Sequence, residues 1–307
     1  MSTSEILDRT FSLYRNNFLL FAGIALLPGA VALLLHLTGV ATHLTVPAAG
    51  RPRAETQLLW VTYEALVIFV TSTVGWGIAS GATLYAVYHL HLGRPATIAS
   101  SYRNVLASGI RVILAAVLVY LAVLAITGAG LLAVIFGVFW PLSQLVPTPT
   151  NRELLLIGLV GLGCIVLLGL LWLYVTAWLS FVIPALLLDR TSIFRSFRRS
   201  HFLAKKTKGR LLLTLLLTVV LTYAFTWAMR IPAYMLLNQR RQAVPLEIWA
   251  DVCQFLSSVI AGPIAAIAIA LFYIDERIRK EAFDLQVMME SIQQDAETAG
   301  VQSANPA

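Results

Sequence analysis

Six apolar stretches, each long enough to cross a bilayer, are separated by short polar connections. A crossing helix needs about 20 apolar residues. The pattern predicts spans over residues 18–40, 59–90, 110–134, 154–188, 211–237 and 248–274. The second and fourth exceed a single crossing, so they must tilt, kink or project into water. Apolar character also continues past residue 134 to Val146, through Gly137 and Pro141. That extension reads as either an outer interfacial helix or a re-entrant segment. The expected fold is therefore all-α: a polytopic membrane helical bundle of about six transmembrane helices.

Three polar segments share a layout. Asp8-Arg9-Thr10-Phe11 with Tyr14-Arg15-Asn16, Gly93-Arg94-Pro95 with Tyr102-Arg103-Asn104, and Asp189-Arg190-Thr191 with Phe197-Arg198-Arg199 each stand just before an apolar stretch. This predicts one domain over residues 1–292 made of three units (1–92, 93–188 and 189–292), each an interfacial helix followed by a hairpin. Residues 293–307, small and polar, read as a disordered tail. At 100° per residue Ile6, Leu7, Thr10, Phe11, Leu13 and Tyr14 share a face opposite Asp8, Arg9, Ser12 and Arg15. Ser2 and Glu5 have capping-box spacing. In the third segment Ile193, Phe194, Phe197 and Ala204 line one side and Arg195 and Arg199 the other, with Phe202 and Leu203 breaking the pattern. Such helices are expected in the headgroup plane, apolar face down.

Composition supports lipid as the solvent. The chain is 59% hydrophobic and 12% charged, with a mean hydropathy of +0.81; soluble domains are about 45–50% apolar and about 25% charged. The net charge of +7 is concentrated in a few connections and reports orientation and anionic lipid, not nucleic acid. Arg195, Arg198, Arg199, Lys205, Lys206, Lys208 and Arg210 crowd the connection after the fourth stretch. Further bases sit in the N-terminal segment, in the second connection and after the last stretch. The positive-inside rule thus predicts cytosolic N- and C-termini. Two readings of the basic face stand open: a specific lipid-headgroup or acidic-partner site, or topology with surface adhesion. No cleavable signal is expected, because the first apolar run is too long for one.

Charges inside the spans are the first place to look for chemistry, since hydrocarbon makes them costly. Glu64, Arg230 and Asp251 qualify, and all three are expected near outer helix ends, where they form a candidate polar cluster. A polar pocket for a headgroup or small solute and an interfacial ion pair that fixes register are the alternatives. His36 stands alone near an outer end, and His89 and His91 point to nearly opposite helix faces, a poor metal geometry. Cys164 and Cys253 lack metal or redox spacing. No catalytic motif can be assembled, so no enzyme activity and no cofactor are expected. Gly77 and Gly81, and Ser258, Gly262, Ala266 and Ala270, recur every four residues and predict close helix packing. Ile278, Ala282, Leu285, Met289 and Ile292 alternate by four and three, the seam either of a short coiled coil, with a homo-oligomer or membrane-protein partner through Ile278, Leu285 and Met289, or of a helix docked on the chain's own cytosolic loops.

The runs ILDRTFSLYRNNFLLFAGIALLP from Ile6, PALLLDRTSIFRSFRRSHFLAKKTKGR from Pro184 and ALFYIDERIRKEAFDLQ from Ala270 together resemble a bacterial family: the membrane domain of glycerophosphoryl diester phosphodiesterase. The resemblance implies hydrolysis only through a separate barrel domain, for which this chain has neither room nor residues. It therefore implies a stand-alone membrane domain with no catalytic residue to carry over. Two functions follow as expectations. The first is a non-enzymatic membrane protein that organises lipid or a partner through its basic face and C-terminal helix. The second is a lipid or small-solute transporter or scramblase that uses Glu64, Arg230 and Asp251.

Overall fold

The computed structural model describes residues 3–45, 54–145, 150–205, 208–238, 243–281 and 288–289. Among these the chain is helical with no strand. Its α-helices are α1 (Thr3–Asn16), α2 (Phe18–Thr45), α3 (Ala54–Phe69), α4 (Trp76–His91), α5 (Ile98–Leu106), α6 (Gly109–Val134), α7 (Trp140–Leu145), α8 (Asn151–Leu179), α9 (Val182–Leu188), α10 (Ile193–Ala204), α11 (Lys208–Asn238), α12 (Ala243–Ile260) and α13 (Gly262–Glu281). Two wider π turns, Val70–Gly75 and Ile135–Phe139, join α3 to α4 and α6 to α7.

Five segments are long and apolar enough to cross a membrane unaided: Phe18–Gly39, Gly109–Leu145, Asn151–Leu188, Gly209–Ile231 and Ile248–Arg279. The expected second crossing is also helical throughout, over residues 54–91, but the π turn at Val70 divides it into two shorter rods. The apolar extension after residue 134 is neither re-entrant nor a separate interfacial helix. It continues the third crossing through the second π turn, which precedes Pro141, to make a rod of 37 residues. At 1.5 Å per residue that rod is about 55 Å long.

The short amphipathic helices α1, α5 and α10 each precede a long apolar helix and pack on the protein through one face. Helix α5 lies on α4, α10 on α9, and α1 on α13, so the last contact closes a circuit. Ile6 and Thr10 on α1, Ser101 and Val105 on α5, and Ser196, Ser200, Leu203 and Ala204 on α10 are buried in protein. On α10 Ala204 is buried and Ile193 and Phe197 pack on the core as expected, but Phe194 is 83% exposed, and Ser196, Ser200 and Leu203 join the buried face. The Ser196 hydroxyl donates to the Ser192 carbonyl and that of Ser200 to Trp178 on α8.

Each of the three also donates a hydroxyl to a main-chain carbonyl at a fault in a membrane helix. Pro28 has no N–H to give the carbonyl four residues earlier, and Tyr102 Oη donates to that carbonyl, on Ile24, at 2.5 Å. At the junction of α12 and α13 the Ile264 amide turns to the Ala261 carbonyl, and Tyr14 Oη donates to the carbonyl of Ile260 instead. Where α8 yields to α9, Ser200 Oγ donates to the Trp178 carbonyl at 2.8 Å. At the centre, α13 buries Ile267, Leu271, Phe272 and Tyr273 completely. Helices α4 and α6 touch at Gly77, where an added Cβ would stand 2.6 Å from that of Ala116. Gly262 by contrast has open space around it, so it marks the α12–α13 break and not a packing seam.

Replacing Tyr102 or Tyr14 by Phe removes one donor and leaves a carbonyl unpaired, at a cost of about 1–3 kcal/mol each. Thermal unfolding in detergent should show a lower Tm for either variant and a summed loss for the pair. Burial pushes the Tyr102 hydroxyl up from 10.0 to about 12 and raises Tyr14 as well. Stability contributed by the protonated phenols is complete below pH 10 and falls as pH rises from 10 towards 12. Tyr102→Phe should flatten that alkaline decline; an unchanged pH profile would contradict the assignment.

Candidate functional site

The basic connection divides into tied and free groups. Asp189, at the end of α9, has a buried carboxylate held from three sides. Arg199 pairs with Oδ2, Arg277 with Oδ1 at 3.1 Å, and Tyr273 Oη donates to Oδ2 at 2.5 Å. Asp275 is likewise buried, 3.2 Å from Arg279 and 4.0 Å from Arg210, whose guanidinium also lies over the Phe272 ring. Arg199 and Arg210 thus tie α10 and α11 to Asp189 and Asp275, while 25% and 30% of their side chains stay exposed. Arg195, Arg198 and Lys205 are exposed, and neither Arg195 nor Arg198 makes a hydrogen bond or ion pair among the described residues. Lys206 and the side chain of Lys208 lie outside the described residues. The buried acids were missed because the connections were read by their bases alone. Their signal was an acid at the end of an apolar run, in Asp189-Arg190 and in Asp275-Glu276-Arg277.

Two members of the expected outer cluster, Arg230 and Asp251, lie on the wall of a cavity of about 570 Å³ between α2, α4, α12 and the start of α13. Arg230 is 22 residues along α11 from Lys208, about 33 Å at 1.5 Å per residue. That puts it near the far side of a hydrocarbon core about 30 Å thick. There Arg230, Asp251, Gln254 and His36 line the polar end of the cavity. Arg230 donates to the Ala250 carbonyl at 3.3 Å and to Gln254 Oε1 at 3.2 Å. Its Nε is buried without a hydrogen-bond partner. No ion pair joins Arg230 to Asp251 among the described residues, so the register-fixing pair is not what the geometry contains. Asp251 feels the charges of His36, Arg230 and Glu64, but Glu64 is exposed on α3 and does not line the cavity.

The rest of the lining is mainly apolar, with the hydroxyls of Thr71, Ser80 and Ser258 turned to nearby main-chain carbonyls, and it includes helix faults at Pro28 on α2, Gly75 closing the π turn, and Gly262-Pro263 between α12 and α13. Helices α2 and α12 meet at Gly29, where an added Cβ would stand 3.2 Å from both Phe255 and the Ser258 hydroxyl. Small residues along the wall leave the space open. Gln254 and His36 were not grouped with Arg230 in the sequence. Gln254 is three residues from Asp251 on the same helix face, which is the signal that could have added it.

Other sequence candidates take simpler roles. His91 accepts Arg9 at 3.1 Å, and no group of three potential metal ligands occurs among the described residues. Both cysteines are free; Cys253 is buried against the Met229 carbonyl and Cys164 is half-buried. Ile278 packs on the chain's own core, so it is spent inside the molecule. Leu285 lies outside the described residues, and Met289 is exposed.

Comparison with protein-family models, with curated proteins and with solved structures finds no match to this chain.

Asp189→Asn should lower stability by about 3 kcal/mol, the low end for a broken buried pair, because Arg199 and Arg277 keep 25% and 16% of their side chains exposed. Arg195→Gln should stay within about 0.5 kcal/mol of the parent. Thermal unfolding of the two variants side by side checks the division into tied and free groups.

Proposed function

We propose that this chain is a non-enzymatic integral membrane protein that receives an amphiphilic membrane molecule, a lipid, in the cavity between α2 and α12. The single observation that carries this reading is one cavity with a charged end and an apolar depth. Its volume falls within the range of about 300–1,000 Å³ usual for ligand sites. A lipid matches that gradient: its headgroup meets Arg230, Asp251 and Gln254, and its chain runs towards Pro28 and Pro263. A purely apolar ligand would leave Arg230 Nε unpartnered in a dry site, which costs free energy.

Arg195 and Arg198, exposed between the outward rings of Phe194 and Phe202, favour a second contact of the same molecule. On this proposal they hold anionic headgroups of the cytosolic leaflet of a bacterial cytoplasmic membrane, at about 1 kcal/mol per base. Movement of the ligand between leaflets, as a transporter or scramblase would require, is the alternative, favoured by the helix faults beside the cavity. The resemblance to the membrane domain of glycerophosphoryl diester phosphodiesterase fits a lipid-handling domain without catalytic residues.

Native mass spectrometry after gentle extraction should find a retained lipid on the parent protein. Ala32→Phe, which fills the cavity from α2, should remove that adduct while the protein stays folded. An adduct retained by Ala32→Phe, or none on the parent, would sink the reading.

A further inference from the structure

The cavity wall carries one guanidinium and one carboxylate that face the same space without pairing. Arg230 reaches across from α11 and is anchored on α12 by the Ala250 carbonyl and Gln254 Oε1, one residue before and three after Asp251. These two bonds leave Arg230 Nε buried and unpartnered. Asp251 lines the cavity with no ion-pair partner among the described residues. Two opposite charges held apart in a low-dielectric wall each keep a demand for a counter-charge, and the demand grows as water leaves.

A ligand with only negative charge would satisfy Arg230 and set its anion against Asp251, with Glu64 adding to the repulsion. A purely cationic ligand would do the reverse. A headgroup carrying both signs answers both demands at once. We infer that the ligand of this cavity is a zwitterionic phospholipid, its phosphate towards Arg230 and its ammonium towards Asp251. This inference rests on the cavity reading above and narrows it to a headgroup class. Net charge decides against anionic lipid: Arg230 is offset by Asp251 and Glu64.

The test is a native mass-spectrometric titration of delipidated protein with dioleoyl phosphatidylethanolamine and, separately, dioleoyl phosphatidylglycerol. The parent should favour the ethanolamine lipid by about tenfold or more, the size of one charge-assisted contact. Asp251→Asn should erase that preference by strengthening phosphatidylglycerol, and Arg230→Gln should weaken both lipids. Equal affinity of the parent for the two lipids, with binding still abolished by Ala32→Phe, would overturn the zwitterion inference and leave the cavity reading intact. No binding of either lipid would overturn both. The parent's preference needs no variant, so a misfolded Asp251→Asn does not blunt the test. Millimolar soluble phosphoethanolamine should not displace the lipid; displacement would overturn the lipid assignment.

Discussion

Inside hydrocarbon a main-chain carbonyl without a donor has nowhere to turn, because no water is present to take it. At three of the membrane-helix faults among the described residues, the carbonyls of Ile24, Ile260 and Trp178 receive hydroxyls from Tyr102, Tyr14 and Ser200. The donors come from the three short amphipathic helices. Those helices therefore do more than float at a surface: each supplies a bond that lets a neighbouring membrane helix bend. The circuit of contacts from α5 to α4, α10 to α9 and α1 to α13 holds each donor at its fault.

Helix faults also line the site. Pro28, Gly75 at the end of the π turn and Gly262-Pro263 all lie on the cavity wall, beside the close contact of α2 and α12 at Gly29. Sealing carbonyls at such faults keeps them compatible with a stable bundle. Away from the cavity, the carboxylates of Asp189 and Asp275 tie α9, α10, α11 and α13 into one block.

Hydropathy made the crossings legible, since each long apolar run can only be a helix in lipid. It also made Arg230 and Asp251 legible, because a charge in an apolar run is conspicuous whatever the fold. Helix adjacency was not legible. The Tyr-Arg-Asn recurrence could be read as a repeat, but nothing in it says that its tyrosine meets a carbonyl 78 or 246 residues away. On α10 the apolar side was legible apart from Phe194, but the burial of Ser196 and Ser200 was not, because serines look polar in sequence and act as small residues in packing. The acids that hold Arg199 and Arg210 were not legible either, because net charge counts bases without seeing their partners.

The third crossing has one further consequence. A rod about 55 Å long and apolar from Gly109 to Leu145 would have to lean by roughly 57° to fit a 30 Å hydrocarbon slab. That exceeds the tilt of about 0–40° at which membrane helices stand. Tilt alone therefore does not absorb the excess, and the rest falls to the π turn at Ile135–Phe139, to projection into water, or to thicker lipid beside the helix.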